Sequence, residues 1–276
     1  MDIRPIGIFD SGIGGLSVLR HLHAQMPNER LLYLADQAHV PYGPRRLEQV
    51  RAFSVEIARF LLTQRAKLIV VACNTASAAA LNHLRATFPR TTFVGMEPAV
   101  KPAAAASRNK IVGVLATQAT FQGELFASLV ERFASDVIVL EKTLPGLVER
   151  IEAGDLTSIE TRKLVEIAVQ PLLDQGADSL VLGCTHYPFI EPILQEIVGD
   201  NAEIVDPSPA VARQAGKILH ETNRTAPADQ SGEILYWSTQ DGERLARLAF
   251  ELTGVSGLPM TLDWYQNPLR LAFSER

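Results

Sequence analysis

Four strand-like apolar runs occur in this chain and then occur again, and that repetition limits the folds open to it more than any other feature. The runs "IGIFD" (6–10), "LLYLAD" (31–36), "KLIVVAC" (67–73) and "TFVGM" (92–96) are followed by "KIVGVLAT" (110–117), "DVIVLE" (136–141), "SLVLGC" (179–184) and "EIVD" (203–206). Stretches of helical length and amphipathic spacing, such as Leu47 to Thr63 and Phe121 to Phe133, separate them. Short apolar runs alternating with amphipathic helices are the pattern of parallel strands joined by crossovers. The two sets superpose: Gly7 falls opposite Gly113 at an offset of 106 residues, and "LYLAD" falls opposite "VIVLE" at 105. The offset becomes 111 where "LIVVACNT" lies over "LVLGCTHY" and "EPAV" (97–100) over "SPAV" (208–211). The expected fold is α/β, with two pseudo-symmetric halves, each a mainly parallel central sheet flanked by helices.

After the second set come a helix-like "AVARQAGKILHE", a polar linker "TNRTAPADQSGE", a strand-like "ILYWST" and a helix-like "DGERLARLAFELTG". The first half has too few elements to cover both faces of its sheet, so this C-terminal third is expected to return to it. The expected domains are therefore 1–97 plus 208–276, discontinuous, and 98–207.

Composition matters chiefly for what it excludes. With 47% apolar and 21% charged residues in 276, the chain is neither disordered nor a fibrous repeat. Two cysteines do not make a disulfide framework. The opening "MDIRPIGIFDSG" has no charged region followed by a long apolar run and a cleavage site, and no apolar run approaches the length of a membrane span. A cytoplasmic protein with free thiols and no membrane partner is expected. A net charge of -5 without a basic stripe argues against a nucleic-acid partner.

Ligands of parallel α/β sheets bind outside the carboxyl ends of the strands. Four such ends concentrate polar groups: "DSG" (10–12), "VPYG" (40–43), "CNT" (73–75) and "CTH" (184–186). Both cysteines, Cys73 and Cys184, are among them. A thiol at a strand end ahead of a helix faces free backbone N–H groups and the positive end of the helix dipole, which lowers its pKa. A single free cysteine usually packs as a small hydrophobe, but two at equivalent strand ends, each followed by polar residues, favour chemistry. Neither sits in a CxxC motif, and Cys73, Cys184 and His186 lack the usual zinc spacing, so no metal is expected. The "DSGIGGLS" loop has GxGG spacing rather than GxGxxG, which argues against a dinucleotide cofactor.

In order and spacing, "GIFDSGIGGLSVL", "YLADQAHVPYG", "VVACNTASA", "GVLAT" and "LGCTHYP" resemble the motifs of the glutamate racemases, bacterial cofactor-independent amino-acid racemases. The resemblance implies an isomerase with an active site in the cleft between two α/β domains, and a cysteine on each wall. It implies glutamate as substrate, no cofactor, a homodimer, and D-glutamate made for cell-wall peptidoglycan. Carried over by motif, Cys73 takes the α-proton from the D enantiomer and Cys184 from the L enantiomer. Asp10 and Ser11 hold the ammonium group, Asn74, Thr75 and Thr185 bind the α-carboxylate, and Tyr42 and Gly43 contribute near the side-chain carboxylate. His186 borders the substrate and tunes Cys184, while Asp10 tunes Cys73. Glu152 in "LVERIEAG" is the further acidic residue, with Glu149 close enough to leave that register open. Rival readings are a two-cysteine racemase or isomerase acting on aspartate, a hydantoin or maleate, and a two-lobed binding protein without catalysis.

Overall fold

A computed structural model describes residues 1–274 apart from 135 and 267. Its strands are β1 (Ile6–Asp10), β2 (Leu31–Ala35), β3 (Leu68–Val71), β4 (Phe93–Gly95), β5 (Ile111–Ala116), β6 (Ile138–Lys142), β7 (Ser179–Gly183), β8 (Glu203–Val205), β9 (Ile234–Ser238), β10 (Leu258–Tyr265) and β11 (Arg270–Phe273). Among the described residues they form a seven-stranded sheet ordered β11-β10-β9-β2-β1-β3-β4 and a four-stranded sheet ordered β6-β5-β7-β8. The order β2-β1-β3-β4 in the first is the order β6-β5-β7-β8 in the second. All of these ladders are parallel except β10 with β11. Each half is thus a crossover sheet whose central strands are buried on both faces and read as unbroken apolar runs.

The ladder register tests the internal alignment residue by residue. Gly7 pairs with Ile69 in the first sheet and Gly113 with Leu180 in the second, as the offsets of 106 and 111 require. The β2/β6 offset of 105 is displaced. Gly7 pairs with Leu32 whereas Gly113 pairs with Leu140, so Leu32 corresponds to Leu140 and not to Val137. β6 is an edge strand with Ile138 and Glu141 exposed, and an edge half open to water does not fix its register by apolar pattern.

Two further differences have local causes. The helix expected over Phe121 to Phe133 is broken into Gln118–Phe121 and Glu124–Phe133. At the break, Gly123 lies so near the helix Asn74–Thr87 that a Cβ on it would come within 2.7 Å of Ala78 Cβ. The final helix, Gly242–Thr253, is capped by Asp241, which accepts from Arg244 N at 2.9 Å, but the chain then continues into β10 and β11. Pro259 lies in the part of β10 that pairs only with β9, leaving its missing N–H without consequence. Strand β9 lies beside β2, Leu31 opposite Ile234, and helix Ser208–Glu221 packs on helix Leu16–Gln25, so the C-terminal third does return to the first sheet. Among the described residues no helix is long and apolar enough to cross a membrane.

Candidate active site

β3 and β7 end side by side across the cleft between the two sheets, and each hands the chain to a cysteine. One cavity of about 270 Å³ is lined by Ser11, Tyr42, Gly43, Cys73, Asn74, Thr75, Cys184, Thr185 and His186, together with Pro41, Thr117 and Val148. Nine of the sequence-selected residues therefore meet at one wall or the other. Asp10 and Glu152 do not line it; both are buried one layer behind, Asp10 on the Cys73 side and Glu152 on the Cys184 side. Pro41, Gly43, Thr117 and Val148 also border an outer space of about 640 Å³ that opens toward Glu149. That placement separates the two glutamates: Glu149 is at the mouth, exposed, and Glu152 is inside.

On the first wall, Cys73 caps the helix Asn74–Thr87, its Sγ accepting from Ala76 N at 3.4 Å. The N–H groups of Asn74 and Thr75 start that helix and have no intrahelical acceptor, which makes the helix end a site for a carboxylate. The Asn74 side-chain oxygen and nitrogen are both buried without a partner. An unpaired amide in a cavity wall is costly unless a ligand meets it. Asp10 accepts from Gly15 N at 2.9 Å and more weakly from Gly12 N and Ser11 Oγ, so its carboxylate is turned into the loop beneath Cys73 rather than onto the wall. Burial and the neighbouring Asp10 carboxylate push the Cys73 thiol well above its ordinary range, outweighing the Ala76 N–H. The expected lowering by the helix end is overturned at this cysteine: burial next to an anion disfavours the thiolate more than one N–H favours it.

The second wall is built differently. After Cys184 the chain makes a four-residue 3-10 turn, Tyr187–Ile190, before the eight-residue helix Glu191–Val198 begins, so the cysteine does not cap an α-helix directly. Cys184 Sγ lies 3.8 Å from His186 Nδ1, and His186 Nε2 lies 2.6 Å from Glu152 Oε1. Burial opposes a charge on His186, but its contacts with Cys184 and Glu152 raise its pKa well above the ordinary value. Burial likewise opposes ionisation of Glu152, yet His186, Ile13 N–H and Gln37 together hold its carboxyl below the usual range.

The glycines of "DSGIGG" acquire a reason here. A Cβ on Gly12 would overlap Glu152 Oε1, and one on Gly14 would overlap His186 Nδ1. They are bare because the second half's acid and imidazole press against the first half's loop, not because a pyrophosphate approaches it.

Sequence reading missed Thr117, whose Oγ1 lies 2.8 Å from Thr75 Oγ1 across the cleft. The signal was present, since the 106-residue offset places Thr117 opposite Ser11. It also missed Asp36, fully buried, which accepts from Tyr42 OH at 2.6 Å and so turns that hydroxyl away from the cavity. Among the described residues neither space is lined by a lysine or arginine, so any carboxylate inside is held by N–H and O–H donors.

Residues 6–215 match the family described as Asp/Glu/Hydantoin racemase. The chain is 52% identical over 243 residues to the glutamate racemase of Ectopseudomonas mendocina, covering 87% of this chain and 91% of that one. Its fold is similar to the crystal structure of glutamate racemase from Francisella tularensis in complex with D-glutamate, with a TM-score of 0.82 at 27% identity over 93% of this chain and 96% of that one. It is similar also to the Escherichia coli glutamate racemase in complex with L-glutamate and the activator UDP-MurNAc-ala, with a TM-score of 0.80 at 29% identity over 98% and 99% of the two chains.

Proposed function

We infer the reaction from one premise: the chain belongs to the Asp/Glu/Hydantoin racemase family. It is an isomerase, and the amino acid it inverts is glutamate. The observation that carries the finer reading is the pair of cysteines at equivalent strand ends, lining one small cavity from opposite halves.

Inverting the α-carbon requires a proton to leave one face and another to arrive at the opposite face. Two fixed acid/base groups do this without either having to move around the substrate. Cys184 takes the α-proton of L-glutamate while the Cys73 thiol delivers one from the far side, and the roles reverse for D-glutamate. Cys73 holds its proton beside Asp10, ready to deliver it, and Cys184 lies against His186. The α-carboxylate sits at the start of the helix Asn74–Thr87, on the N–H groups and side chains of Asn74 and Thr75, with Thr185 from the other wall. Negative charge that develops at the α-carbon spreads into this carboxylate, and donors already aimed at it need no reorganisation. Ser11 is the wall residue nearest to a role at the ammonium group, with Asp10 acting behind it. Gly43 and the Tyr42 backbone receive the side-chain carboxylate.

The same reading takes residues 1–97 with 208–276 and residues 98–207 as two domains that part to admit substrate. It includes a cytoplasmic homodimer that needs no cofactor and whose D-glutamate goes to peptidoglycan. Incubating the chelator-treated protein with L-glutamate in D2O and following the α-proton by NMR tests the reaction. Deuterium should replace the α-proton while D-glutamate accumulates to equality; a full α-proton signal with no D-glutamate sinks the reading.

A further inference from the structure

Behind the Cys184 wall, a line of hydrogen bonds runs from the end of β9 to the cysteine, and its polarity can be read at every link as far as His186. Ser238 Oγ accepts from Gln240 N at 3.0 Å and from Asp241 N at 3.1 Å. Both lone pairs of the hydroxyl are thereby occupied, and its proton goes to Gln37 Oε1 at 2.7 Å. With its oxygen committed, the buried Gln37 amide turns its NH2 to Glu152 Oε2 at 3.3 Å. Glu152 Oε1 already accepts from Ile13 N at 2.7 Å. A carboxyl that meets an N–H at each oxygen is held as the acceptor-only carboxylate. His186 Nε2, 2.6 Å from Oε1, must then donate to it, and Nδ1 is the ring nitrogen left for Cys184.

We propose that Gln37, oriented by Ser238, is a positioning residue that fixes the proton arrangement of the Glu152–His186–Cys184 line from the opposite half of the molecule. Gln37 touches neither the cavity nor the substrate, and it acts through Glu152. Gln37 and Ile13 belong to the first half and Glu152 to the second, so the arrangement is built from both halves. The inference rests on the racemase reading for its effect on turnover, but the orientation of the chain does not depend on it.

The titratable and charged groups around this line are Asp10, Tyr33, Cys73, Glu149, Cys184 and Tyr187, with Arg244 bonded to the Glu152 carbonyl oxygen at 2.7 Å. None of them replaces the lost donor when Gln37 becomes leucine. Glu152 then holds its proton to a higher pH, supports the imidazolium less, and His186 loses its charge at lower pH than in the wild type.

Gln37→Leu and Ser238→Ala, made in the full chain with nitrogen-15-labelled histidine, test this. In Gln37→Leu, kcat should fall about tenfold with KM held within about a factor of two, the signature of an effect on proton transfer rather than binding. The His186 ring-nitrogen titration should move to lower pH in the same variant. Ser238→Ala frees the amide to turn over, and should give a smaller shift in the same direction; it remains informative if Gln37→Leu fails to fold. An active wild type whose His186 titration is the same in both variants overturns the proposal. A wild type that does not racemise glutamate overturns the reaction reading instead, while the titration still decides the role of Gln37.

Discussion

Cys73 and Cys184 end equivalent strands of a duplicated sheet, and their surroundings share almost nothing else. Cys73 caps a helix of fourteen residues and has a single carboxylate, Asp10, beneath it. Cys184 is followed by a short turn and has an imidazole backed by a carboxylate. The fold supplies two facing positions, and each is given different neighbours. On one side an anion holds the proton on sulfur, and on the other an imidazole backed by Glu152 lies 3.8 Å from sulfur.

The severest break in this comparison is to remove either sulfur. Cys73→Ser and Cys184→Ser should each reduce racemisation by at least about a thousandfold, since a serine hydroxyl is a far weaker acid than a thiol. The loss must be equal in the two directions when measured as kcat/KM, because the enantiomers have the same free energy in water. The halves are told apart by solvent exchange in D2O. Cys73→Ser should retain slow exchange only into L-glutamate and Cys184→Ser only into D-glutamate; the opposite pattern would reverse the assignment of faces.

Next in size is Glu152→Gln, which should lower kcat by about a hundredfold as His186 loses its anion. Stability against pH gives an independent reading. The raised pKa of His186 contributes stability below its ordinary value of 6.5, which is lost as pH rises through the folded value. The lowered pKa of Glu152 contributes stability above its ordinary 4.5, which is lost as pH falls through the folded value. Melting temperatures measured across this range should therefore vary less with pH in Glu152→Gln than in the wild type. On the Cys73 side the sign reverses. Asp10→Asn removes the anion that keeps the thiol protonated, so Cys73 should react with iodoacetamide several-fold faster at mildly alkaline pH, while racemisation slows. Slower alkylation would place the influence of Asp10 elsewhere.

How much of this was legible in the sequence depended on whether a residue's role is set by its own strand. Cys73, Cys184 and the residues just after them follow buried apolar runs, and a strand end in a parallel sheet points at the ligand side by construction. The β10–β11 hairpin was not legible: its strands are partly exposed, carry Pro259 and alternate poorly, so nothing in the pattern separates them from a loop. Gln37 and Asp36 gave no signal either. Both follow β2 in a polar stretch, and what they do is decided by partners roughly two hundred residues away, Ser238 and Thr239. Glu152 was found by motif, but only the packing of its helix on the "DSGIGG" loop separates it from Glu149.

The smallest expected effect concerns the ends of β2 and β6, where the two halves diverge again. After β2, Asp36 gathers Tyr42 OH at 2.6 Å, Trp264 Nε1 at 2.7 Å, Thr239 Oγ1 at 3.0 Å and His39 Nδ1 at 2.9 Å, tying the Tyr42 wall to the C-terminal hairpin. After β6, the corresponding stretch Thr143, Leu144, Pro145 and Gly146 instead lines the outer space. On the proposed reading, the first half offers a fixed wall for the substrate's side chain, and the stretch after β6 borders the way in. Trp264→Phe keeps the ring's place against His39 and Phe53 but removes one of the Asp36 donors. Losing one charge-assisted hydrogen bond of a well-filled set should loosen Tyr42 without displacing it. KM for glutamate should rise about threefold to tenfold with kcat nearly unchanged, because the wall binds substrate and transition state alike. A fall in kcat at constant KM would mean that the hairpin acts on the proton-transfer groups themselves, and the division between a binding wall and an entrance would have to be redrawn.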